Sequence, residues 1–193
     1  MLGPKLLTLT GVPDDRTAAI AQQEMDELAR RLGFVVFVAE ADGAGGYVAT
    51  VKAERQMGVR VTVSVGEGFP FSAPALMQAF HAWQPREKVD ELIDRHGLKQ
   101  FTQHTITDRD ALHQALAEVR ERGYSTSIQQ YDMAQSGVAA PIFDRRGQVN
   151  RVVCSLAFFT ELHADNVTRI GAQVSACADR ITARTGGRHP SGE

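Results

Sequence analysis

The sequence is poor in cysteine and in long apolar runs. Its two cysteines, Cys154 and Cys177, are too few for a disulfide framework or a structural zinc site. The longest apolar run, residues 34–39, is far shorter than the roughly 20 residues that a transmembrane helix needs. The N-terminus also lacks the apolar segment of a signal peptide. We therefore expect a cytoplasmic protein with no membrane partner.

The sequence has no excess of one charge. Lys and Arg number 21 and Asp and Glu number 23, which gives a formal net charge of -2. Binding to nucleic acid needs a basic face that displaces counterions from phosphates. The balance therefore argues against a chain whose own surface binds DNA. With 193 residues, the chain is long enough for one domain with a substantial core.

Patterns typical of catalysis and metal binding are missing as well. The six histidines are scattered without a metal-ligand spacing, and neither a Gly-x-Ser-x-Gly nor a Walker sequence is present. The glycine-rich residues 43–46 lie between two predicted strands, whereas a phosphate cradle needs a helix directly after it. Both cysteines are most simply buried small apolar residues. We expect no metal, no cofactor and no catalytic residue, and hence no enzyme.

Hydrophobic periodicity predicts an alternation of helices and strands. Helices are predicted over residues 14–32, 72–83, 85–97, 107–123 and 165–185. Strands are predicted over residues 34–40, 47–54, 59–65, 124–130, 138–143 and 149–158, and the strict alternation of the third is the clearest strand pattern. This order predicts an α+β fold, a mostly antiparallel six-stranded sheet flanked by helices, as in GAF- and PAS-like sensor domains.

Residues 66–80 have the features of a ligand site. A tight turn leads into a helix whose first turn consists of small residues: Ser72, which we expect as the N-cap, then Ala73, Pro74 and Ala75. Free amides at a helix N-terminus attract anions, so those of Ala75 and Leu76 could hold a carboxylate. The apolar body of such a ligand would lie against Val61, Val63 and Phe69. Ordinary packing of a helix on a sheet explains the same small residues, and the spacing alone favours that explanation.

Several short segments stand in a fixed order along the chain. They are residues 2–7 (Leu-Gly-Pro-Lys-Leu-Leu), 65–73, 105–108, 119–124 (Val-Arg-Glu-Arg-Gly-Tyr) and 138–144 (Val-Ala-Ala-Pro-Ile-Phe-Asp), followed by Gly147. In these segments, over nearly its whole length, the chain resembles the effector-binding domain of the IclR family of bacterial transcriptional regulators. The GAF-like fold that the resemblance implies agrees with the predicted order of elements.

The resemblance implies a regulator in two parts. A winged helix-turn-helix domain binds DNA, and a C-terminal domain binds a small metabolite, commonly a carboxylic acid. It also implies a homodimer or tetramer, for which we expect residues 149–158 to offer an apolar sheet edge. DNA would be bound only through an N-terminal domain that this sequence does not include. We expect residues 1–12 to be a linker remnant, 13–187 the effector-binding domain and 188–193 a disordered tail.

The effector contacts of the family map onto a few positions of this chain. The resemblance implies that the effector contacts the amides of Ala75 and Leu76, the side chain of Ser127 and the chain at Gly137. Pro74 departs from the usual Ser or Thr and removes an N–H. The full predicted set of effector-binding residues is Ala75, Leu76, Ser72, Ala73, Ser127, Gly137, Val61, Val63, Phe69, Phe71 and Met77.

The departures from the family pattern bear on the effector. They leave fewer polar groups, which disfavours a very small polar acid such as a keto acid. The expected effector is therefore a larger or aromatic carboxylate near Phe69, Phe71, Met77 and Ser127. The alternatives are a pocket filled by its own side chains, in a ligand-free GAF-like dimerisation or interaction module, and more distantly an enzyme on this fold.

Overall fold

The computed structural model describes residues 15–190. Five helices and six strands follow one another in this range. The helices are α1 (Asp15–Leu32), α2 (Pro74–His81), α3 (Arg86–His96), α4 (Arg109–Arg122) and α5 (Val167–Arg184). The strands are β1 (Val35–Ala41), β2 (Tyr47–Ala53), β3 (Gly68–Phe69), β4 (Ser125–Ile128), β5 (Gln135–Phe143) and β6 (Val149–Phe158).

The predicted linker remnant, residues 1–12, lies outside the described residues, as do residues 191–193 of the predicted tail. Residues 188–190 make contacts with the domain. The Arg188 N–H donates to the carbonyl of Asp144 at 3.1 Å, and the His189 ring lies 4.8 Å from the ring of Phe143.

All six strands form one antiparallel sheet in the order β3-β2-β1-β6-β5-β4. This arrangement confirms the predicted fold class, with one meander from the first three strands and another from the last three. The prediction that residues 149–158 form a sheet edge is wrong. That segment is β6, which pairs with β1 on one side and with β5 on the other, so the edges of the sheet are β3 and β4.

Helices cover both faces of the sheet. Strand β1 is buried on both sides, so it shows a nearly continuous apolar run instead of an alternation. Phe37 belongs to the core under α2, α3 and α4, whereas Val36 and Val38 belong to the core under α1 and α5. The two helices on that second face are also joined by the Glu24 carboxylate, which accepts hydrogen bonds from Arg180 at 2.6 Å and Arg184 at 2.8 Å.

The prediction of a strand over residues 59–65 is wrong. This segment makes no ladder in the described structure, and the short β3 completes the sheet instead. Val61 and Val63 are buried as the alternation predicts, but Val59 and Val65 are exposed. Alternating burial on one side of an extended segment therefore does not require hydrogen-bonded pairing.

Hydrogen bonds explain where the ladder begins. The Gly66 N–H donates to the carbonyl of Ala49 at 2.7 Å, and the Ala49 N–H donates to the carbonyl of Glu67 at 2.9 Å. Two residues before Gly66, the Ser64 N–H donates to the Glu67 carboxylate at 2.8 Å. Because the Ser64 N–H is bonded to a side chain, it is not available to strand β2. The backbone hydrogen bonds to β2 therefore begin only at residue 66.

A missing side chain allows α5 to approach the start of β4. A Cβ on Gly171 would lie 2.3 Å from a ring carbon of Tyr124, well inside van der Waals contact. The Tyr124 ring is buried, and the Arg122 guanidinium covers it at 4.9 Å from the ring centroid. The ring therefore has little room to move away from α5.

Replacement of Gly171 by Ala should lower the free energy of unfolding by about 1–3 kcal/mol, because the added methyl group overlaps the Tyr124 ring. In Tyr124→Ala the same replacement should be neutral or stabilising, since Ala favours a helix interior over Gly by about 1 kcal/mol. Urea denaturation of the wild type, the two single variants and the double variant measures this coupling. An equal effect of Gly171→Ala with and without the ring would contradict the close approach.

A buried polar chain fastens α2 to β2. The Tyr47 hydroxyl donates to the carbonyl of Phe71 at 2.9 Å and lies 3.1 Å from His81 Nε2. His81 Nδ1 lies 3.0 Å from Gln84 Oε1. Burial, opposed by the hydrogen bond to Gln84 and reinforced by the charge of His96, lowers the pKa of His81 from 6.5 to about 4. The imidazole is therefore neutral at pH 7 in the folded chain.

This lowered pKa predicts a loss of stability in acid. Because the unfolded chain binds the proton more tightly, the contribution of His81 is complete above about pH 6.5 and falls as the pH approaches 4, by up to about 3 kcal/mol. In His81→Gln, which cannot titrate, the free energy of unfolding should decline less between pH 7 and pH 4. Urea denaturation across this range measures the difference, and parallel curves for the two chains would count against a buried neutral imidazole.

Candidate functional site

A narrow cleft lies between the N-terminus of α2 and the face of the sheet. Its free volume is about 30 Å³, room for roughly two water molecules. The residues that line it are Phe37, Phe69, Ala73, Pro74, Ala75, Leu76, Ser127, Tyr131, Gln135, Ser136, Gly137, Cys154 and Leu156. None of these lining residues is Asp, Glu, Lys, Arg or His.

Helix α2 begins without a side-chain cap. Its N-cap is Ala73, and Pro74 in the first turn has no N–H to offer. The first backbone bond of the helix runs from the Met77 N–H to the carbonyl of Ala73 at 2.8 Å. Within the described part of the chain, no group accepts from the N–H of Ala75 or Leu76. Two unpaired donors at the positive end of α2 therefore belong to the wall of the cleft.

The prediction of Ser72 as the N-cap of α2 is wrong. Its hydroxyl accepts a hydrogen bond from the N–H of Lys99 at 3.3 Å, in the loop between α3 and α4. The Ser72 side chain is thus used to hold that loop against α2. Its engagement there leaves the first amides of the helix uncapped.

Strands β4 and β5 position this end of α2. The buried hydroxyl of Ser125 lies 2.7 Å from the carbonyl of Ala75 and 3.3 Å from that of Ala139, so it bridges helix and sheet. A Cβ on Gly137 would lie 3.7 Å from the Cβ of Ala75 and 2.7 Å from a methyl carbon of Leu156. The cleft therefore persists because position 137 has no side chain.

The floor of the cleft is apolar. The rings of Phe37 and Phe69 are stacked with their centroids 5.6 Å apart. Cys154 is buried, and burial raises the pKa of its thiol far above the ordinary range, so that the thiol stays protonated. Ser127 supplies a hydroxyl that has no partner among the described residues. This combination suits a ligand with an apolar body and one anionic group.

The structure brings together six of the eleven residues predicted for the site. Those that line the cleft are Phe69, Ala73, Ala75, Leu76, Ser127 and Gly137. Those that do not are Ser72, Val61, Val63, Phe71 and Met77. Met77 follows Leu76 in the helix and so points about 100° away, into the core. Phe71 packs instead against the rings of His81 and His96, at 5.5 and 4.9 Å.

Several lining residues were not predicted from the sequence. Cys154 and Leu156 lie two apart on β6 and so share the face that looks toward α2. Their register places Leu156 opposite Gly137, and this pairing links residues whose proximity has no local sequence signal. Tyr131 comes from the loop between β4 and β5, which has no periodic pattern that could have predicted its place.

Residues 15–190 contain neither a candidate metal site nor a candidate membrane span. In this range no cluster of three or more His, Cys, Asp or Glu side chains could bind a metal ion. None of the helices in the same range is long and apolar enough to cross a membrane.

Comparison with known proteins identifies a family over most of the chain. Residues 15–183 match the family described as bacterial transcriptional regulator IclR, C-terminal. The transcriptional repressor IclR of Escherichia coli is 30% identical over 129 residues, which are 67% of this chain and 47% of the repressor. The chain thus spans about half the length of the curated relatives that it matches. The family consists of regulators, in agreement with the expectation that the chain is not an enzyme.

Solved structures share the fold. An IclR transcriptional regulator from Alicyclobacillus acidocaldarius superposes with a TM-score of 0.82 and 28% identity over 96% of this chain and 75% of that one. A double mutant of the inducer-binding domain of the transcription factor PobR from Acinetobacter, solved with 3-hydroxybenzoic acid, has a TM-score of 0.76 and 19% identity over 86% and 97% of the two chains. At this identity the second likeness shows the fold alone.

The bridge from Ser125 to Ala75 predicts a local effect on α2. Ser125→Ala should cost about 1–2 kcal/mol, because the buried carbonyls of Ala75 and Ala139 lose the hydroxyl that bridges them. Ser155→Ala is a matched control, since its buried hydroxyl donates to the carbonyl of Val35 at 3.0 Å without touching α2. Both variants should lose similar stability in urea. Only Ser125→Ala should speed backbone hydrogen exchange in residues 77–82, whose N–H groups make the bonds of the helix, and equal exchange in the two variants would contradict a positioning role for Ser125.

Proposed function

The chain belongs to the IclR family of bacterial transcriptional regulators, as their C-terminal effector-binding domain, and from this premise we propose that it senses a small carboxylic acid in the cleft at the N-terminus of α2. One observation supports this proposal above the others. The N–H groups of Ala75 and Leu76 have no acceptor within the described residues, and both residues line a cleft without charged side chains. A carboxylate would receive both hydrogen bonds.

The electrostatics of this end of α2 favour an anion. The helix dipole places roughly half a positive charge there, which stabilises an anion by about 0.3–1 kcal/mol, or up to about 2 kcal/mol where it is partly buried. The free hydroxyl of Ser127 can add a third donor. Because no Lys or Arg lines the cleft, these neutral donors must replace the water that a carboxylate loses. An acid with a single carboxylate suits this set better than a dicarboxylate.

The body of the effector is apolar and, in this proposal, aromatic. The stacked rings of Phe37 and Phe69, with the side chain of Leu156, offer a surface on which a ring gains about 25 cal/mol for each Å² removed from water. A double mutant of the PobR domain is solved in complex with 3-hydroxybenzoic acid, an acid of this class, on the same fold. That likeness is support by analogy, since the two chains are 19% identical.

The whole regulator would couple this site to DNA. In the proposal, residues 13–187 form the sensing domain of a cytoplasmic homodimer or tetramer, and a winged helix-turn-helix domain binds the operator. The effector acts by a difference in its affinity for two arrangements of the subunits. The regulated genes lie in the metabolism of the acid that binds.

A ligand-free module is the second candidate, and one observation favours it. The cleft has a free volume of about 30 Å³, whereas a cavity that binds benzene has about 150 Å³. An aromatic acid therefore enters only if lining side chains move. A domain whose lining never moves would serve as an interaction module alone.

Thermal denaturation in the presence of small acids tests the proposal. Hydroxybenzoates, aliphatic keto acids and dicarboxylates are compared, with 3-hydroxybenzamide as the uncharged match of 3-hydroxybenzoate. At 100 times its Kd an effector adds about 2.7 kcal/mol, or roughly 5–10 °C for a chain of this size. The aromatic acid should raise the melting temperature, whereas the amide should not.

Gly137→Val locates the binding site, because its side chain fills the cleft beside Leu156. It should abolish the shift while the chain stays folded. Gly68→Val is the matched control, since a Cβ at this edge position meets only the carbonyl of Tyr47, at 3.9 Å. A shift that survives Gly137→Val would reject this cleft, and no shift with any acid would favour the ligand-free module.

A further inference from the structure

We propose that Tyr131 is the gate of the cleft and sets the size of the molecules that enter it. The identity of the physiological ligand rests on the function proposed above, but the gate itself does not. Among the lining residues, Tyr131 alone is exposed by more than a third, at 37%. Its ring therefore reaches both the cleft and the solvent, and it can leave the cleft without opening the core.

A second loop holds the ring in place. The ring of Phe101, between α3 and α4, meets that of Tyr131 edge to face at 4.7 Å. In the same loop the Thr102 hydroxyl donates to the carbonyl of Gln129 at 2.6 Å, and the Thr105 hydroxyl donates to that of Gln130 at 2.6 Å. Two neighbouring carbonyls are thus held by two hydroxyls from one loop. We call these two hydrogen bonds the latch.

The latch is itself preorganised. The Thr105 oxygen accepts the N–H groups of Phe101 at 3.0 Å and Thr102 at 2.9 Å. Its single proton is therefore directed to the carbonyl of Gln130. The Thr102 oxygen likewise accepts the N–H of His104 at 3.0 Å. Hydrogen bonds within their own loop therefore orient both hydroxyl donors of the latch.

The gate loop, residues 129–134, is bound internally. The side-chain nitrogen of Gln129 donates to the carbonyl of Met133 at 2.8 Å, and the Ala134 N–H donates to the carboxylate of Asp132 at 2.7 Å. The first of these bonds connects the two ends of the loop, and the second closes a turn at its C-terminal end. It can therefore move as one unit that brings Tyr131 with it.

The closed position of this loop is strained. Gln129 has a φ of 55°, in the left-handed region that costs a residue with a side chain about 1 kcal/mol. The side-chain oxygen of Gln130 is buried and has no hydrogen-bond partner among residues 15–190, which adds an unsatisfied acceptor. The closed form is thus held by contacts with the Phe101 loop against the preference of its own backbone. Release of the latch frees the carbonyls of Gln129 and Gln130, so that the loop can move away with its internal bonds intact.

The sulfur of Cys154 reports the opening without any effector. Cys154 lies on the floor of the cleft and is 1% exposed, while Cys177 is equally buried in α5 on the other face of the sheet. N-ethylmaleimide labelling followed by peptide mass spectrometry gives the rate at each thiol. Cys177 reports global unfolding, so a rise confined to Cys154 reports the cleft.

Two variants test the gate from opposite sides. Tyr131→Ala removes the ring, and Thr102→Val/Thr105→Val removes the latch but keeps the ring. Each should raise the labelling rate of Cys154 at least about tenfold and leave that of Cys177 unchanged, because the population of the open form increases. Met133→Ala changes an exposed apolar residue of the same loop outside the lining, and it should behave as the wild type does.

The size limit is tested by a bulkier reagent of the same chemistry. The rate ratio of N-phenylmaleimide to N-ethylmaleimide at Cys154 should be low in the wild type and at least about fivefold higher in Tyr131→Ala. An unchanged ratio would show that Tyr131 does not set the size. Unchanged Cys154 rates in both variants, or a parallel rise at Cys177, would overturn the gate. An open gate in a chain that no acid stabilises would instead refute the proposed function alone.

Discussion

The rest of the structure depends on the pairing of β1 with β6. These strands are more than 100 residues apart in sequence, and six residue pairs join them from Val35 with Leu156 to Glu40 with Arg151. Their pairing fuses two meanders into one sheet, and the ion pair between Glu40 and Arg151 closes one end of it. Without it, Phe37 and Cys154 would not share the floor of the cleft, and α2 would have no continuous surface to cover.

Local signals in the sequence were sufficient for most of the elements. The glycine at position 123 ends α4 in the left-handed conformation, as its place after a run of helical spacing indicates. The segments 138–143 and 149–158 are strands joined by a tight turn, as predicted. These signals depend on neighbours within a few residues. Helix caps and tight turns depend on nearby residues, so the nearby sequence is enough to predict them.

The errors arose where the structure depends on distant partners. The alternation of residues 59–65 reports burial but not hydrogen bonding, and the Glu67 carboxylate takes an N–H of this segment for itself. Residues 149–158 look like an edge until β1 is placed beside them. For the candidate site, the small residues at the start of the predicted helix and the family resemblance led to the prediction of Ala75 and Leu76, but only the register of β5 with β6 adds Leu156. Tyr131 depends on a contact between two loops, which no periodicity encodes.

The donors that we assign to the carboxylate belong to the main chain of Ala75 and Leu76. Every amino acid other than proline supplies the same N–H, so point mutations during evolution would rarely delete anion recognition from this cleft. Side chains such as Leu156 and Tyr131 are free to vary around that constant element. Related domains could therefore change the acid that they bind through substitutions in the apolar wall. The ability to bind an acid would be conserved for longer than the preference for one particular acid.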